Sequence, residues 1–148
     1  MPEFIMPLGD DKPVEYALQW QRATIGYFAK GYFEAMFFTE CHSDNPELQD
    51  ATINDLSPEA WERSLADCKA FEEANAELLE SVYGVQGKYE REEYCSQRAG
   101  NDYWYTRNGH GTGFWDRGLG EAGDKLANAA RYHSVDLYRG DDGLLYLA

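Results

Sequence analysis

Disulfide pairs, membrane-length apolar runs and basic charge are all scarce in this chain, and each scarcity removes a class of protein. Cys41, Cys68 and Cys95 are an odd number of cysteines with no CxxC pair among them. That pattern excludes a disulfide framework or zinc-finger spacing and fits a reducing compartment. No apolar stretch reaches the roughly 18 to 20 residues that cross a bilayer, and no basic segment leads into an apolar one. The expectation is a soluble, unprocessed protein of the cytoplasm with no membrane partner. Lys and Arg together number 13 against 27 Asp and Glu, a formal charge of −14. Such a field is repelled by nucleic-acid phosphate and anionic lipid and attracted to basic surfaces, so direct DNA or RNA binding is disfavoured. Internal repeats and low-complexity tracts are also absent.

What is present suffices for one domain spanning residues 1–148. The chain is 43% apolar and 15% aromatic, enough to assemble a core around large rings without metal or disulfide support. Charge divides it: residues 1–97 hold 20 acidic and 7 basic side chains, residues 98–148 hold 7 and 6. The first part is acidic and mostly helical. In Val14 to Glu40 the aromatic spacing is helical, but Gly26 and Gly31 each cost about 1 kcal/mol inside a helix, which predicts a break or a close helix contact there. Cys41 to Pro58 reads as a solvated polar connection, with Asn45-Pro46 marking a turn. From Ser57 to Gly84 the signals predict one helix: Ser57 caps, Pro58 suits the first turn, Glu59 favours the positive dipole end and Gly84 stops it. Trp61, Leu65, Cys68, Phe71, Leu78, Leu79 and Val82 form its apolar stripe, with Glu59, Glu62, Glu73, Glu77 and Glu80 mostly opposite. "KYEREEYCSQRAG" reads as a short helix ending near Gly100.

The last third reads as hairpin, helix, hairpin, which makes the fold class α+β with a small antiparallel sheet. Tyr103, Tyr105 and Arg107 alternate with Trp104, Thr106 and Asn108 as on a strand, and "GHGTG" supplies a turn that puts His110 at a hairpin tip. "GEAGDKLANAARYH" predicts a helix with Leu126, Ala129, Ala130 and Leu119 on its apolar face. Asp142-Gly143 marks a second hairpin with a two-residue turn.

Three uses of Asp102 to Gly118 stay open. As an enzyme site, His110 would be acid or base, Asp102 or Asp116 its partner, and Arg107 and Arg117 would hold an anion, but no nucleophile motif accompanies them. As a ligand site, Arg107, Asn108, His110, Trp115 and Asp116 would converge on a nucleotide-like molecule. As structure alone, the rings fill the core and the glycines serve turns. No catalytic residue, cofactor or metal is assigned: Cys41-His42 are adjacent rather than spaced, Cys68 sits on the apolar stripe, and "GDDG" at Gly140 to Gly143 lacks further oxygen ligands.

The pattern "AGNDYWYTRNGHGTGFWDR" with the following "LANAA" and "YRGDDGLLY" resembles a family of small acidic proteins encoded by tailed bacteriophages, over Ala99 to Tyr146. The resemblance implies an origin, a phage protein acting inside an infected bacterium, and no activity. In that context the acidic region acquires a reading. Between Glu40 and Glu93 lie 15 acidic and 4 basic residues, and helical spacing places Glu73, Glu77 and Glu80 about 5 to 6 Å apart. Fixed carboxylates at that separation can substitute for a phosphate backbone on a protein that grips DNA through Lys and Arg. The expected partner of Glu59, Glu62, Glu73, Glu77 and Glu80 is therefore a basic host protein, DNA-binding or part of a defence complex such as a restriction or CRISPR effector. A nucleotide-like ligand module or small hydrolase on the hairpin, and a virion assembly protein, are the alternatives; a homodimer is compatible with each.

Overall fold

The computed structural model describes residues 25–41, 44–86, 93–131 and 133–148. Helix α1 spans Tyr27–Glu40, α2 Pro58–Ala74, α3 Ala76–Val82, α4 Ser96–Arg107 and α5 Gly120–Ala130, followed by strands β1 Leu137–Arg139 and β2 Leu145–Leu147. The two strands pair antiparallel, with Tyr138 opposite Tyr146. The fold is α+β, helical first and closed by a C-terminal hairpin. No helix of the described residues is long and apolar enough to cross a membrane.

Helices α1 and α4 form the centre, and two glycines set their distance. A Cβ on Gly31 would stand 1.9 Å from the Gln97 carbonyl oxygen, and one on Gly100 would stand 1.9 Å from that of Phe28. The backbones therefore touch at two reciprocal points where no larger residue fits. Asn101 clamps the seam by donating from Nδ2 to the Gly31 carbonyl at 2.6 Å. The expected penalty at Gly26 and Gly31 is resolved in both ways: Gly26 is the N-cap of α1, and Gly31 is the close contact. The part of that helical reading over residues 14–24 lies outside the described residues.

Around the seam the core is a stack of rings. Phe33 lies parallel to Trp61 at 4.8 Å, Phe71 stacks on Tyr103 at 4.3 Å, and Trp104 meets Tyr32 edge-on at 5.3 Å. Ser57 caps α2 as expected, its hydroxyl accepting from the Ala60 amide at 3.0 Å. One long helix to Gly84 does not form, however. Asn75 leaves helical geometry at φ −121° and ψ 25° while its Nδ2 donates to the Phe71 carbonyl at 3.0 Å. Its side chain competes for the ladder, as short amides do, and α3 starts anew. The connection before α2 is also less solvated than its composition suggests, since Leu48, Ile53 and Leu56 are buried.

The largest departure is at Asp102 to Gly118, which is not a hairpin. Helix α4 runs through Gly100 rather than ending there, and Asp102, Tyr103, Trp104, Thr106 and Arg107 are all buried, whereas a strand with one face on the core would have exposed alternate members. The glycine after it is a helix stop: Gly109 sits at φ +71°, its amide bonds the Thr106 carbonyl and the His110 amide bonds that of Tyr105. These are the two hydrogen bonds of a Schellman cap. The chain then makes a short 3₁₀ turn at Phe114–Asp116 before α5. On α5, Leu126, Ala127 and Ala130 are buried and Ala129 faces solvent. The terminal hairpin is real, but its loop has three residues: the Gly140 amide bonds the Leu144 carbonyl at 2.7 Å, and Gly143 takes φ +84°. Its β2 edge docks on the start of α2, where the Ser57 amide donates to the Leu145 carbonyl at 2.9 Å.

Candidate functional site

The acidic face rests on α2 and α3, each held by one buried stripe. Trp61, Cys68, Phe71, Leu79 and Val82 point inward, so helical periodicity turns Glu59, Glu62, Glu73, Glu77 and Glu80 outward, and all five are exposed. The break at Asn75 divides them into Glu59, Glu62 and Glu73 on α2 and Glu77 and Glu80 on α3. The one-turn spacing expected for a continuous Glu73-Glu77-Glu80 ladder thus survives only between Glu77 and Glu80. Arg63 and Lys69 are exposed on α2 as well. Beside Glu73, burial and then the Glu73 charge raise the pKa of half-buried Glu72.

Elsewhere the surface is more uniformly anionic than these helices. Among the described residues the exposed cations are Arg63, Lys69 and Lys125, whereas Asp44, Glu47 and Asp50 before α2, Glu93, Glu121 and Asp124, and Asp136, Asp141 and Asp142 add to the five glutamates. The fold also brings distant acids together: Arg139 donates to the Glu47 carbonyl at 2.9 Å and the Gly143 carbonyl at 2.6 Å. This ties the acidic loop before α2 to the Asp141-Asp142 turn. Sequence reading missed that neighbourhood because nothing local links positions almost a hundred residues apart. Asp142 itself accepts from the Tyr146 hydroxyl at 2.5 Å and the Leu144 amide at 3.0 Å, and those bonds lower its pKa, the Tyr146 bond first. It is a turn residue, and no metal-binding cluster of His, Cys, Asp or Glu occurs among the described residues.

Two of the arginines, Arg107 and Arg117, are drawn from the surface into ion pairs. Arg107 is buried, with Nε donating to the His133 carbonyl at 2.7 Å and Nη1 to the Tyr32 hydroxyl at 2.9 Å and Asp67 at 3.0 Å. Arg117 grips fully buried Asp102 with Nη2 at 2.8 Å and Nε at 3.0 Å, and the Tyr94 hydroxyl donates to the other carboxylate oxygen at 2.6 Å. Burial raises the Asp102 pKa against the opposing pull of Arg117 and Tyr94. Burial first, and then the Asp102 charge, push the Tyr94 phenol well above its usual value.

These pairings dismantle the proposed catalytic set. Asp102 is locked to Arg117 and cannot serve His110, and Asp116 pairs with neither arginine; it accepts instead from the Thr112 hydroxyl at 3.2 Å. His110 packs edge-on against Tyr105 at 6.0 Å, and its Nε2 lies 3.9 Å from Glu40, beyond hydrogen-bond reach. The five ligand-site candidates do not converge as a group either. Arg107, Asn108 and Trp115 line one cavity of about 380 Å³, while His110 turns toward the end of α1 and Asp116 toward its own loop. The cavity wall is completed by Thr106, Gly109, Arg131 and Ser134. Asn108 shapes this wall, with Nδ2 on the Trp104 carbonyl at 3.1 Å and Oδ1 accepting the Val135 amide at 2.9 Å. Arg131, which the sequence reading passed over, lies 5.7 Å from the Trp115 ring centroid. Its position just past α5 was visible, but not that α5 would carry it to Trp115. No family model, curated protein or solved structure matches this chain.

Proposed function

We propose that this is a phage-encoded, non-catalytic protein that binds a basic, DNA-gripping surface of a host defence or DNA-binding protein through its carboxylates. One observation carries the reading: among the described residues most carboxylates are exposed while the exposed cations are Arg63, Lys69 and Lys125 alone, so the solvent-facing charge there is predominantly negative. Arg107 is engaged by half-buried Asp67, Arg117 by fully buried Asp102 and Arg139 by backbone carbonyls. The carboxylates are mounted on packed helices and tied loops, so binding a partner requires little ordering of the chain that carries them. Arg63 and Lys69 sit among the α2 glutamates, and they favour a partner contact that extends onto α3 and the neighbouring acidic loops. Association with a cationic groove would be steered electrostatically and would weaken steeply with salt.

The test is capture from bacterial lysate at low and high salt, using the wild type, a Glu73/Glu77/Glu80→Gln variant and a His110→Ala variant. The expected result is a DNA-binding protein retained by the wild type and by His110→Ala, released by high salt and by added duplex DNA, and lost with the three glutamates. Retention by the glutamine variant, or release that ignores both salt and DNA, overturns the reading.

A further inference from the structure

The cavity behind the end of α4 runs against the charge of the rest of the molecule. Its described lining contains two guanidinium groups, Arg107 and Arg131, and no carboxylate. Arg107 is held in place from behind through Nε and Nη1, which leaves Nη2 outside those bonds. Asp67 offsets part of its charge from that far side. Arg131 is partly exposed, and its partners are neutral: the Asn128 amide oxygen at 3.3 Å and the indole of Trp115. Trp115 is 39% exposed although the other large rings of its loop and of α4 are buried or half-buried. Ser134 adds an exposed hydroxyl at the rim. An anchored arginine, a partly exposed arginine, an open indole and an alcohol are the groups that recognise an anion attached to a flat ring. The volume of about 380 Å³ lies at the lower end for small-molecule sites.

We propose that this cavity binds a small organic anion of the nucleoside monophosphate class, with its phosphate on Arg131 and Arg107 and its base against the open part of the Trp115 indole. The site is separate from the acidic docking face and does not depend on it.

The experiment is calorimetric titration at low salt with AMP, adenosine and inorganic phosphate, on the wild type, Arg131→Ala and Trp115→Phe. Both substitutions are at partly exposed side chains, and circular dichroism checks that each variant is folded. Saturable one-to-one binding of AMP is expected, with adenosine and phosphate each at least tenfold weaker. Arg131→Ala should weaken AMP at least tenfold, and Trp115→Phe severalfold with the ring contact only partly retained. The Glu73/Glu77/Glu80→Gln variant should bind AMP within twofold of the wild type, so failure here and failure of the docking surface are told apart. No saturable AMP binding, or an affinity unmoved by Arg131→Ala, overturns the proposal. Phosphate binding as tightly as AMP overturns its assignment of the base to Trp115.

Discussion

The ion-paired interior behind α4 and the outer face of α2 and α3 use the same chemical groups to opposite ends. Inside, each carboxylate is matched: Asp102 takes a two-nitrogen grip from Arg117 and a phenol from Tyr94, and Asp67 meets Arg107. Outside, Glu77 and Glu80 extend from α3 into solvent. A buried charge left single is very costly, whereas a solvated one costs little and stabilises little. The interior charges are therefore fixed by folding, while the exterior ones are free to be set by what the protein meets. Arg63 and Lys69 remain on the second face, but the exposed glutamates there outnumber them.

The sharpest way to break this contrast is to unpair the interior. Arg117→Ala leaves Asp102 buried without its counterion and should cost about 3 to 5 kcal/mol, a large share of the total for a domain of this size. Urea unfolding at pH 7 measures it. Removing Arg117 raises the folded-state pKa of Asp102 further above its unfolded value, so the penalty should be largest at neutral pH and should fade as acid protonates the carboxylate. Adding Asp102→Asn should recover part of the loss. If the single variant is as stable as the wild type, the pair is not structural and the contrast fails.

The seam between α1 and α4 gives the next effect. A methyl at Gly31 or Gly100 would meet a backbone carbonyl at 1.9 Å, and a carbonyl cannot swing away as a side chain can. Gly31→Ala and Gly100→Ala should each cost about 3 kcal/mol, at the upper end for overpacking, measured as a lowered urea midpoint. The two should not add, because the first substitution already parts the helices.

Alkaline pH probes the same interior without mutation. Tyr32 and Tyr94 are buried and their pKa values are raised mainly by burial, and that of Tyr103 is raised to about 12. Since the folded values lie above the unfolded ones, stability should be level below about pH 10 and fall above it, by up to about 1.4 kcal/mol per pH unit for each fully buried phenol. Phenolate absorbance from these buried tyrosines should then appear together with loss of helix rather than ahead of it. Early titration of all the tyrosines in a folded chain would contradict the burial.

What could be read from the chain in advance follows from how local each signal is. The cap at Ser57, the stripe from Trp61 to Val82 and the glycine contact at Gly31 were legible because helix chemistry is written within a few residues. At Tyr103 to Thr106 local preference pointed the wrong way: aromatic and β-branched residues favour strands, and the glycines after them suit a hairpin as well as a helix stop. Packing of Gly100, Tyr103 and Trp104 on α1 decided for helix. The anchoring of Arg107 was not legible because Asp67 and Tyr32, which hold it, lie 40 and 75 residues away. The cavity was half legible, since Arg107, Asn108 and Trp115 come from one stretch but Arg131 arrives by way of α5.

The smallest stability effect carries the most about function. Replacing Glu59, Glu62, Glu73, Glu77 and Glu80 together by Gln removes five exposed charges while keeping side-chain length and helix propensity. None of the five makes a buried contact that the fold requires, so each change should stay within about 0.5 kcal/mol. The set should be close to neutral, because relief of like-charge repulsion is offset by the loss of Glu59 and Glu77 from the positive ends of α2 and α3. Thermal melts at low salt should move by at most a few degrees, and the difference from the wild type should shrink in high salt, where the native charges are already screened. A large destabilisation would mean that these glutamates belong with Asp102 among the structural charges, and would remove the main reason to regard their face as a binding surface. A chain that folds equally well without them, yet no longer holds a basic partner, would show that folding does not need this face to be anionic and that binding does.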